Sequence, residues 1–238
     1  MKRVLITGGS RGIGRACVEY FTNAGNKVAF VYLKDDESAK LCADNYGAYA
    51  IKADISKPEE AARAVKEALD LLGGIDILVN NAGVAQIKLF TDLTDADLEK
   101  MLSTNLLSAL CVAREAVKPM ISQKWGRIIN IGSMWGKCGA SCEVHYSASK
   151  AGVRGMTMAL AKELGPSGIT VNCVEPGVID TDMNSELDKE TLAQLCDETP
   201  MCRVGKTQDV SALVGFLASE EASFITGQII GVDGGFAI

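Results

Sequence analysis

The sequence has little of what builds metal sites and disulfide frameworks. It contains one histidine, His145, and its eight cysteines form no C-x-x-C pair. Because a structural zinc site needs about four cysteine or histidine ligands at close spacing, we expect no metal site. The simplest interpretation of the cysteines is that they are small buried apolar side chains in a reducing compartment.

Long apolar runs and clusters of positive charge are also missing. No stretch approaches the ~20 apolar residues of a membrane-spanning helix, and the apolar run Val4–Thr7 is too short for the core of a signal peptide. The formal net charge is -6, and the lysines and arginines are scattered. A nucleic-acid binder would need a basic stripe. We therefore expect a cytoplasmic protein without a membrane or nucleic-acid partner.

Short apolar runs alternate with amphipathic segments along the whole chain. Strands are predicted at Val4–Thr7, Lys27–Tyr32, Tyr49–Ala53, Ile75–Val79, Arg127–Ile131, Thr170–Val174 and Gln228–Val232, and helices near 13–24, 36–46, 58–72, 95–118, 146–164 and 207–218. This alternation predicts an α/β fold, a Rossmann-type three-layer α/β/α sandwich with a seven-stranded parallel sheet. No linker or repeat interrupts it, so we expect one domain over residues 1–238.

A glycine-rich loop follows the first predicted strand and opens the first predicted helix. Its spacing, in the run from Thr7 to Gly14, is G-x-x-x-G-x-G rather than the common G-x-G-x-x-G. Glycines allow a sharp turn and bring backbone N–H groups against a pyrophosphate at a helix N-terminus, whereas a plain turn needs one glycine rather than four. The residues expected to bind a nucleotide here are Gly8, Ser10, Arg11, Gly12, Ile13 and Gly14.

Four motifs in chain order resemble those of the short-chain dehydrogenase/reductase family. They are Thr7 to Gly14, Asn80-Asn81-Ala82-Gly83, Ser133 with Tyr146-Ser147-Ala148-Ser149-Lys150, and Pro176-Gly177. The resemblance spans the chain and implies a nicotinamide-dependent oxidoreductase, with a cofactor half at about 1–135. It implies a catalytic set of Asn105, Ser133, Tyr146 and Lys150. It also implies cofactor contacts from Asp54, Ile55, Asn81, Ala82, Gly83, Tyr146, Lys150, Pro176, Gly177, Ile179 and Thr181.

Tyr146 and Lys150 are four residues apart, so on a helix they share one face. Tyr146 would protonate a ketone oxygen as hydride reaches the carbon, and the Lys150 ammonium is expected to lower its pKa from an ordinary value near ~10. Ser133 would hold the same oxygen. By resemblance, Lys150 also holds the nicotinamide ribose and Asn105 anchors a proton-relaying water. His145 is expected to point elsewhere on the helix and has no predicted catalytic role.

The second predicted strand favours NADP(H) over NAD(H). The acid that binds a ribose hydroxyl in NAD sites would fall at about Tyr32, where there is none. Lys34 lies just beyond, and Arg11 is a second cation that could meet a 2′-phosphate. Asp35 and Asp36 follow closely. They either weaken Lys34 or are solvated acids at a helix start.

Within the family, length and motifs are similar to bacterial 3-oxoacyl-[acyl-carrier-protein] reductases, which implies fatty-acid biosynthesis, an acyl carrier partner and a homotetramer. Two positions depart from that group. Lys124 keeps one of the two cations expected to dock the acidic carrier, but Ser167 replaces the other. Glu143 replaces the usual glutamine three residues before the tyrosine.

The stretch from Ser133 to Val144 is more similar to a related reductase, which acts on the 5-aminopentanone modification of elongation factor P. There Glu143 would suit an amine-bearing ketone and Trp135 would line an alkyl channel, which makes Ser133, Trp135, Glu143 and Tyr146 the expected substrate site. In the other interpretation Glu143 faces solvent and Trp135 lies in the core.

Two further expectations concern the lid and a protein of another class. By resemblance, residues 183–203 form a lid over the substrate that holds most of the specificity. A catalytically inactive nucleotide-binding regulator could share the fold. The intact set of serine, tyrosine and lysine, with Tyr146 thirteen positions after Ser133, favours the enzyme.

Overall fold

The computed structural model describes residues 1–182 and 189–237, and in them seven parallel strands form one sheet. The strands are β1 Arg3–Thr7, β2 Lys27–Tyr32, β3 Tyr49–Lys52, β4 Ile77–Asn80, β5 Gly126–Ile131, β6 Ile169–Pro176 and β7 Ile229–Val232. Their order is β3-β2-β1-β4-β5-β6-β7. The predicted fold class is confirmed.

The helices lie on both faces of this sheet. They are α1 Gly12–Asn23, α2 Asp36–Tyr46, α3 Pro58–Leu72, α4 Asp95–Leu102, α5 Ser108–Gln123, α6 Trp135–Cys138, α7 Val144–Leu164, α8 Lys189–Glu198 and α9 Thr207–Leu217. The helix predicted at 95–118 is observed as α4 and α5, joined by a π-helical segment at Ser103–Leu107. The short α6 and the helix α8 were not predicted. Within the described ranges, no helix is long and apolar enough to cross a bilayer.

Two hydrophobic layers enclose the sheet because its strands are apolar on both faces. One layer packs α3, α5 and α7 against the sheet around Leu5, Leu78 and Ile128. The other packs α1, α2 and α9 around Ile6 and Phe30. Strands β5 and β6 are buried along their whole length. In such a sheet ligands bind at the carboxyl ends of the strands, near the point where the strand order reverses. Here that point lies between β1 and β4.

The cysteines only partly follow the expectation. All eight are free thiols, and the buried ones are Cys17, Cys42, Cys111 and Cys173. Cys138 and Cys202 are exposed, and the remaining two are partly exposed. The interpretation of all eight as buried apolar side chains was therefore wrong for half of them, since these lie in loops and short helices outside the two hydrophobic layers.

Candidate active site

The glycine loop between β1 and α1 is closely packed. Gly8 has a φ of +69°, and its N–H donates to the carbonyl of Val31 at 2.8 Å. A Cβ at Gly14 would lie 2.0 Å from the Gly8 oxygen, so no larger residue fits there. Helix α1 starts at Gly12, and its N-cap residue Arg11 makes no side-chain cap, which leaves the first N–H groups of the helix available to an anion. The loop therefore has the form of a phosphate cradle.

Thr7 and Asn81 join the ends of β1 and β4 directly behind this loop. The Thr7 hydroxyl accepts from the N–H groups of Asn81 and Ala82 at 2.9 and 3.0 Å. The Asn81 amide donates to the carbonyls of Thr7 and Gly8 at 2.9 and 3.1 Å. The structure thus places the Asn81 side chain as a support of the loop. The part played by Thr7, which is buried, was missed, although a threonine ending an apolar strand was a visible signal.

Ser133, Tyr146 and Lys150 meet where β5 ends and α7 begins. All three are buried. The Lys150 ammonium donates to the Ile131 carbonyl at 2.9 Å and lies 5.8 Å from the centroid of the Tyr146 ring. The Ser133 hydroxyl is within hydrogen-bonding reach of the Tyr146 hydroxyl. The structure therefore brings together the three side chains that the sequence singled out.

Asn105 lies beside this group, in the π-helical segment. Its amide oxygen accepts from the Val84 N–H at 2.8 Å, and its amide nitrogen donates to the Val84 carbonyl at 2.9 Å and to the Ser149 hydroxyl at 3.2 Å. A Cβ at Gly83 would lie 3.3 Å from the Asn105 oxygen and 3.5 Å from the Lys150 nitrogen. Asn105 therefore holds the backbone after β4 close to Lys150.

Burial dominates the protonation of the two central groups. It raises the pKa of Tyr146 to about 12; the hydrogen bond with Ser133 opposes this rise and the negative charge of Glu143 adds to it. Burial also lowers the pKa of Lys150 to about 8, because the charged ammonium loses its hydration. The expectation that Lys150 lowers the pKa of Tyr146 is wrong for this structure, since loss of hydration at the phenol outweighs any attraction to the ammonium.

Glu143 and Trp135 are the two further residues predicted at the substrate site. Glu143 is half-buried, which raises the pKa of its carboxyl group, and its charge acts on the Tyr146 hydroxyl. Burial is the one cause of this shift, and none of the ion pairs or hydrogen bonds of the described residues involves its carboxylate. Trp135 is only partly buried and packs edge-to-face on Phe236, with ring centroids 5.5 Å apart. The alternative that places Trp135 in the core is wrong, because neither hydrophobic layer includes it. The alternative in which Glu143 faces solvent stays open, because its side chain is half-buried.

The two acids after β2 have partners of their own. Asp35 caps α2 by accepting from the Ser38 N–H at 2.9 Å. Asp36 binds the Lys52 ammonium at 2.8 Å and the Tyr32 hydroxyl at 3.0 Å. Neither acid is seen in an ion pair with Lys34, which is exposed, as is Arg11. The pKa of Asp35 is lowered by its hydrogen bonds with Ser38 and also by the charge of Arg11, so Arg11 lies near this acid. Lys34 and Arg11 are both exposed, and an anion could reach either of them.

The other predicted cofactor residues line the same edge of the sheet. Asp54 follows β3 and accepts from the Ser56 hydroxyl at 2.6 Å, and its neighbour Ile55 is buried. After Pro176 the chain turns at Gly177 and passes the glycine loop, where the Thr181 methyl would be 3.5 Å from a Cβ at Gly12. Ser10 and Ile179 are buried nearby, and Ile13, Ala82 and Gly83 are partly buried.

The segment predicted as a lid is only partly described, because residues 183–188 lie outside the described ranges. The remainder forms α8 and the turns that follow it, where the Met201 N–H donates to the Gly234 carbonyl at 3.2 Å. This contact joins the end of the predicted lid to the C-terminal loop that carries Phe236.

A chain of polar side chains next to Tyr146 was missed. The His145 ring nitrogen Nε2 lies 3.0 Å from the Gln86 amide oxygen, and the Gln86 amide nitrogen donates to Asp97 at 2.9 Å. Asp97 also closes a capping box with Thr94 at the start of α4. That capping box was readable in the sequence, but its connection to Gln86 was not.

The comparisons with known proteins agree with this geometry. A family model described as "Enoyl-(Acyl carrier protein) reductase" matches residues 8–237. The 3-oxoacyl-[acyl-carrier-protein] reductase FabG of Aquifex aeolicus is 41% identical over 236 residues, which cover 97% of this chain and 95% of that protein. The protein of the same name from Staphylococcus aureus (strain Mu50 / ATCC 700699) is 37% identical, with 98% and 97% covered. The solved structure of a doubly mutated short-chain dehydrogenase/reductase from Serratia marcescens superposes with a TM-score of 0.94 at 36% identity. The superposition covers 100% of this chain and 98% of that chain.

Proposed function

The chain belongs to the short-chain dehydrogenase/reductase family and is an oxidoreductase acting on CH–OH groups, and from this premise we propose that it reduces a 3-oxoacyl-[acyl-carrier-protein] to the 3-hydroxyacyl form with NADPH. The observation that carries the proposal is the meeting of Ser133, Tyr146 and Lys150 beside the glycine loop. These groups serve a reaction at a carbonyl. The full-length similarity to two proteins named as 3-oxoacyl-[acyl-carrier-protein] reductases supports this choice of substrate.

In this proposal Tyr146 is the proton donor. With a pKa raised to about 12 it keeps its proton at neutral pH, which is the state that a reduction requires. The Ser133 hydroxyl holds the ketone oxygen next to it. As the proton leaves, the Lys150 ammonium stabilises the phenolate that forms. The bound nicotinamide cofactor supplies the hydride.

The preference for NADPH rests on Arg11 and Lys34. Both cations are exposed; Asp36 is bound to Lys52, and Asp35 caps α2 while also feeling the charge of Arg11. A 2′-phosphate would meet these two cations, while the N-terminus of α1 would hold the pyrophosphate. Asp54 would bond the adenine, with Ile55 packed near it. Ala82, Gly83, Pro176, Gly177, Ile179 and Thr181 would complete the cleft.

If the substrate is bound to an acyl carrier protein, the position of the docking cation Lys124 requires a second subunit. Lys124, the cation retained for docking, precedes β5, whereas Ser133 follows it. The two therefore lie beyond opposite ends of β5, a strand of 6 residues that is about 20 Å long at roughly 3.3 Å per residue. Docking at Lys124 would serve the site of a neighbouring subunit, which the expected homotetramer would provide. The homotetramer and the cytoplasmic location stay predictions, to be tested by light scattering and fractionation.

Glu143 favours a second candidate substrate. Its half-buried carboxylate has no partner among the described residues and acts on the Tyr146 hydroxyl. A protonated amine on the substrate would supply the missing partner. This would suit the 5-aminopentanone modification of elongation factor P.

The deciding experiment compares NADPH consumption by the purified chain with an acetoacetyl thioester of the carrier protein and with elongation factor P that bears the amino ketone. The first proposal predicts a higher kcat/KM for the thioester, which Glu143→Gln leaves intact. A preference for the amino ketone, lost by about tenfold or more in Glu143→Gln, would establish the second. Binding of NADPH without reduction of either ketone would point to the inactive regulator.

A further inference from the structure

The segment Gly83–Lys88, called the wall segment below, runs from the end of the motif after β4 past the catalytic helix α7. Its start is fixed by the two bonds between Val84 and Asn105, at 2.8 and 2.9 Å. Gly83 itself faces the Lys150 ammonium, since a Cβ there would lie 3.5 Å from the nitrogen. The wall segment therefore borders the site at its catalytic lysine.

The middle of the wall segment is bound to His145, the residue directly before Tyr146. The His145 side chain is buried, with an exposed fraction of 3%, and its Nε2 lies 3.0 Å from the Gln86 amide oxygen. The Gln86 amide nitrogen donates to the Asp97 carboxylate, so the amide oxygen must be the group that faces the histidine. Because an amide oxygen only accepts, His145 donates through Nε2–H.

The far end of the wall segment is fixed at Lys88. Its backbone N–H donates to the Cys142 carbonyl at 2.8 Å, just before α7. Its ammonium binds the second oxygen of Asp97 at 2.7 Å. The wall segment is thus held at alternate residues, and the two outer ties do not involve a side chain of α7. His145 is the side chain through which the helix that carries Tyr146 holds the middle of the wall.

The other ring nitrogen of His145 shows what this tie requires. Nδ1 is buried and has no hydrogen-bond partner among the described residues. The ring is therefore held at Nε2 alone. A glutamine at this position reaches about as far with its amide nitrogen as histidine does with Nε2, and so it can restore the bond to Gln86. A phenylalanine keeps the ring but loses the donor.

We propose that His145 is a positioning residue, whose bond to Gln86 fixes the wall segment relative to Tyr146 and so fixes the ketone between them. The proposal rests on the proposed function for its consequence, because only a ketone that takes its proton from Tyr146 is sensitive to this geometry. The hydrogen bond between His145 and Gln86 is itself independent of the reaction that the protein catalyses.

The tie is tested by hydrogen exchange on the full chain, without substrate. In His145→Phe the amides of Val84 and Lys88 should exchange about tenfold faster, while those of β1 stay unchanged. His145→Gln should restore the protection. Val144→Ala, a change at the exposed residue next to His145, serves as the control. Unchanged exchange in His145→Phe overturns the proposal, whatever reaction the protein catalyses.

The effect on the reaction is tested with the same variants by steady-state kinetics with NADPH and the preferred ketone. His145→Phe should lower kcat by about tenfold and leave the KM for NADPH within twofold, and His145→Gln should recover kcat to within about threefold. Equal loss in both variants, or no loss in His145→Phe, contradicts the positioning role. If the wild-type protein reduces neither ketone, the proposed function fails, and the exchange experiment still decides the tie.

Discussion

Asn105 and Val84 are joined by two hydrogen bonds, one from the Val84 N–H to the Asn105 amide oxygen and one from the Asn105 amide nitrogen to the Val84 carbonyl. The Asn105 side chain is buried, and the π-helical segment that carries it interrupts an otherwise continuous helical stretch from α4 to α5. Such interruptions are frequent at functional sites. Here the result is that one side chain fixes the backbone that faces Lys150.

Asn105→Ala should destabilise the protein substantially. The change removes both partners of the Val84 backbone and leaves its N–H and C=O without these bonds, which costs about 1–3 kcal/mol for each group. Urea unfolding should show a loss in the free energy of unfolding of about 2–6 kcal/mol. Asn45→Ala is the matched control, because Asn45 is an exposed asparagine on α2. Equal effects of the two changes would contradict the role given to Asn105.

Gly14→Ala should disrupt the glycine loop. The added Cβ would lie 2.0 Å from the Gly8 carbonyl oxygen, so the loop must move and its phosphate cradle is lost. We expect NADPH binding, measured by fluorescence titration, to weaken by at least about tenfold, with a stability loss of about 1–3 kcal/mol. Gly155→Ala is the control on α7, where nothing lies within 4 Å of the new carbon. That change should stabilise the helix by up to about 1 kcal/mol.

Removal of the cations at the mouth of the loop should change the cofactor preference. In Arg11→Ala and Lys34→Ala we expect the KM for NADPH to rise by about tenfold each, because a charge-assisted bond to the 2′-phosphate is lost. The KM for NADH should stay within twofold. Lys40→Ala, at an exposed lysine on α2, is the control for a general change in charge. A parallel rise in the KM for NADPH and the KM for NADH would show that these cations do not distinguish the 2′-phosphate.

The lowered pKa of Lys150 predicts a pH dependence of stability. Its value of about 8 lies below the ordinary 10.5, so between these values the unfolded chain binds more protons than the folded one. The contribution of Lys150 to the free energy of unfolding should therefore rise with pH between these two values, by about 3 kcal/mol in all. The same contribution is lost as the pH falls through about 8. The measurement is the difference between wild type and Lys150→Met in urea unfolding from about pH 7 to pH 10.5, in which other titrations cancel. A difference that does not change with pH would contradict a buried ammonium.

The strands, and the meeting of Ser133, Tyr146 and Lys150, could be predicted because both leave local patterns. Apolar runs such as Val4–Thr7 are buried strands, and each chemical motif follows a strand, so that the parallel sheet collects Ser133 and Asn81 at one edge. The spacing of Tyr146 and Lys150 placed both on one face of α7.

What the sequence could not predict depends on contacts between distant residues and on burial. Gln86 and His145 are 59 residues apart, and Asp36 and Lys52 are 16 apart, with no pattern that pairs them. The pKa of Tyr146 was predicted in the wrong direction because a four-residue spacing shows proximity to Lys150 but not the loss of hydration at the phenol.

The central claim, that Tyr146 donates the proton in a nicotinamide-dependent reduction, is tested most directly by Tyr146→Phe. This change removes the hydroxyl and keeps the ring that packs in the site. The measurement is single-turnover oxidation of bound NADPH by the preferred ketone, together with NADPH affinity. The account predicts a rate lower by about 10²- to 10⁴-fold with affinity within about threefold of wild type. A rate equal to that of the wild type would contradict it.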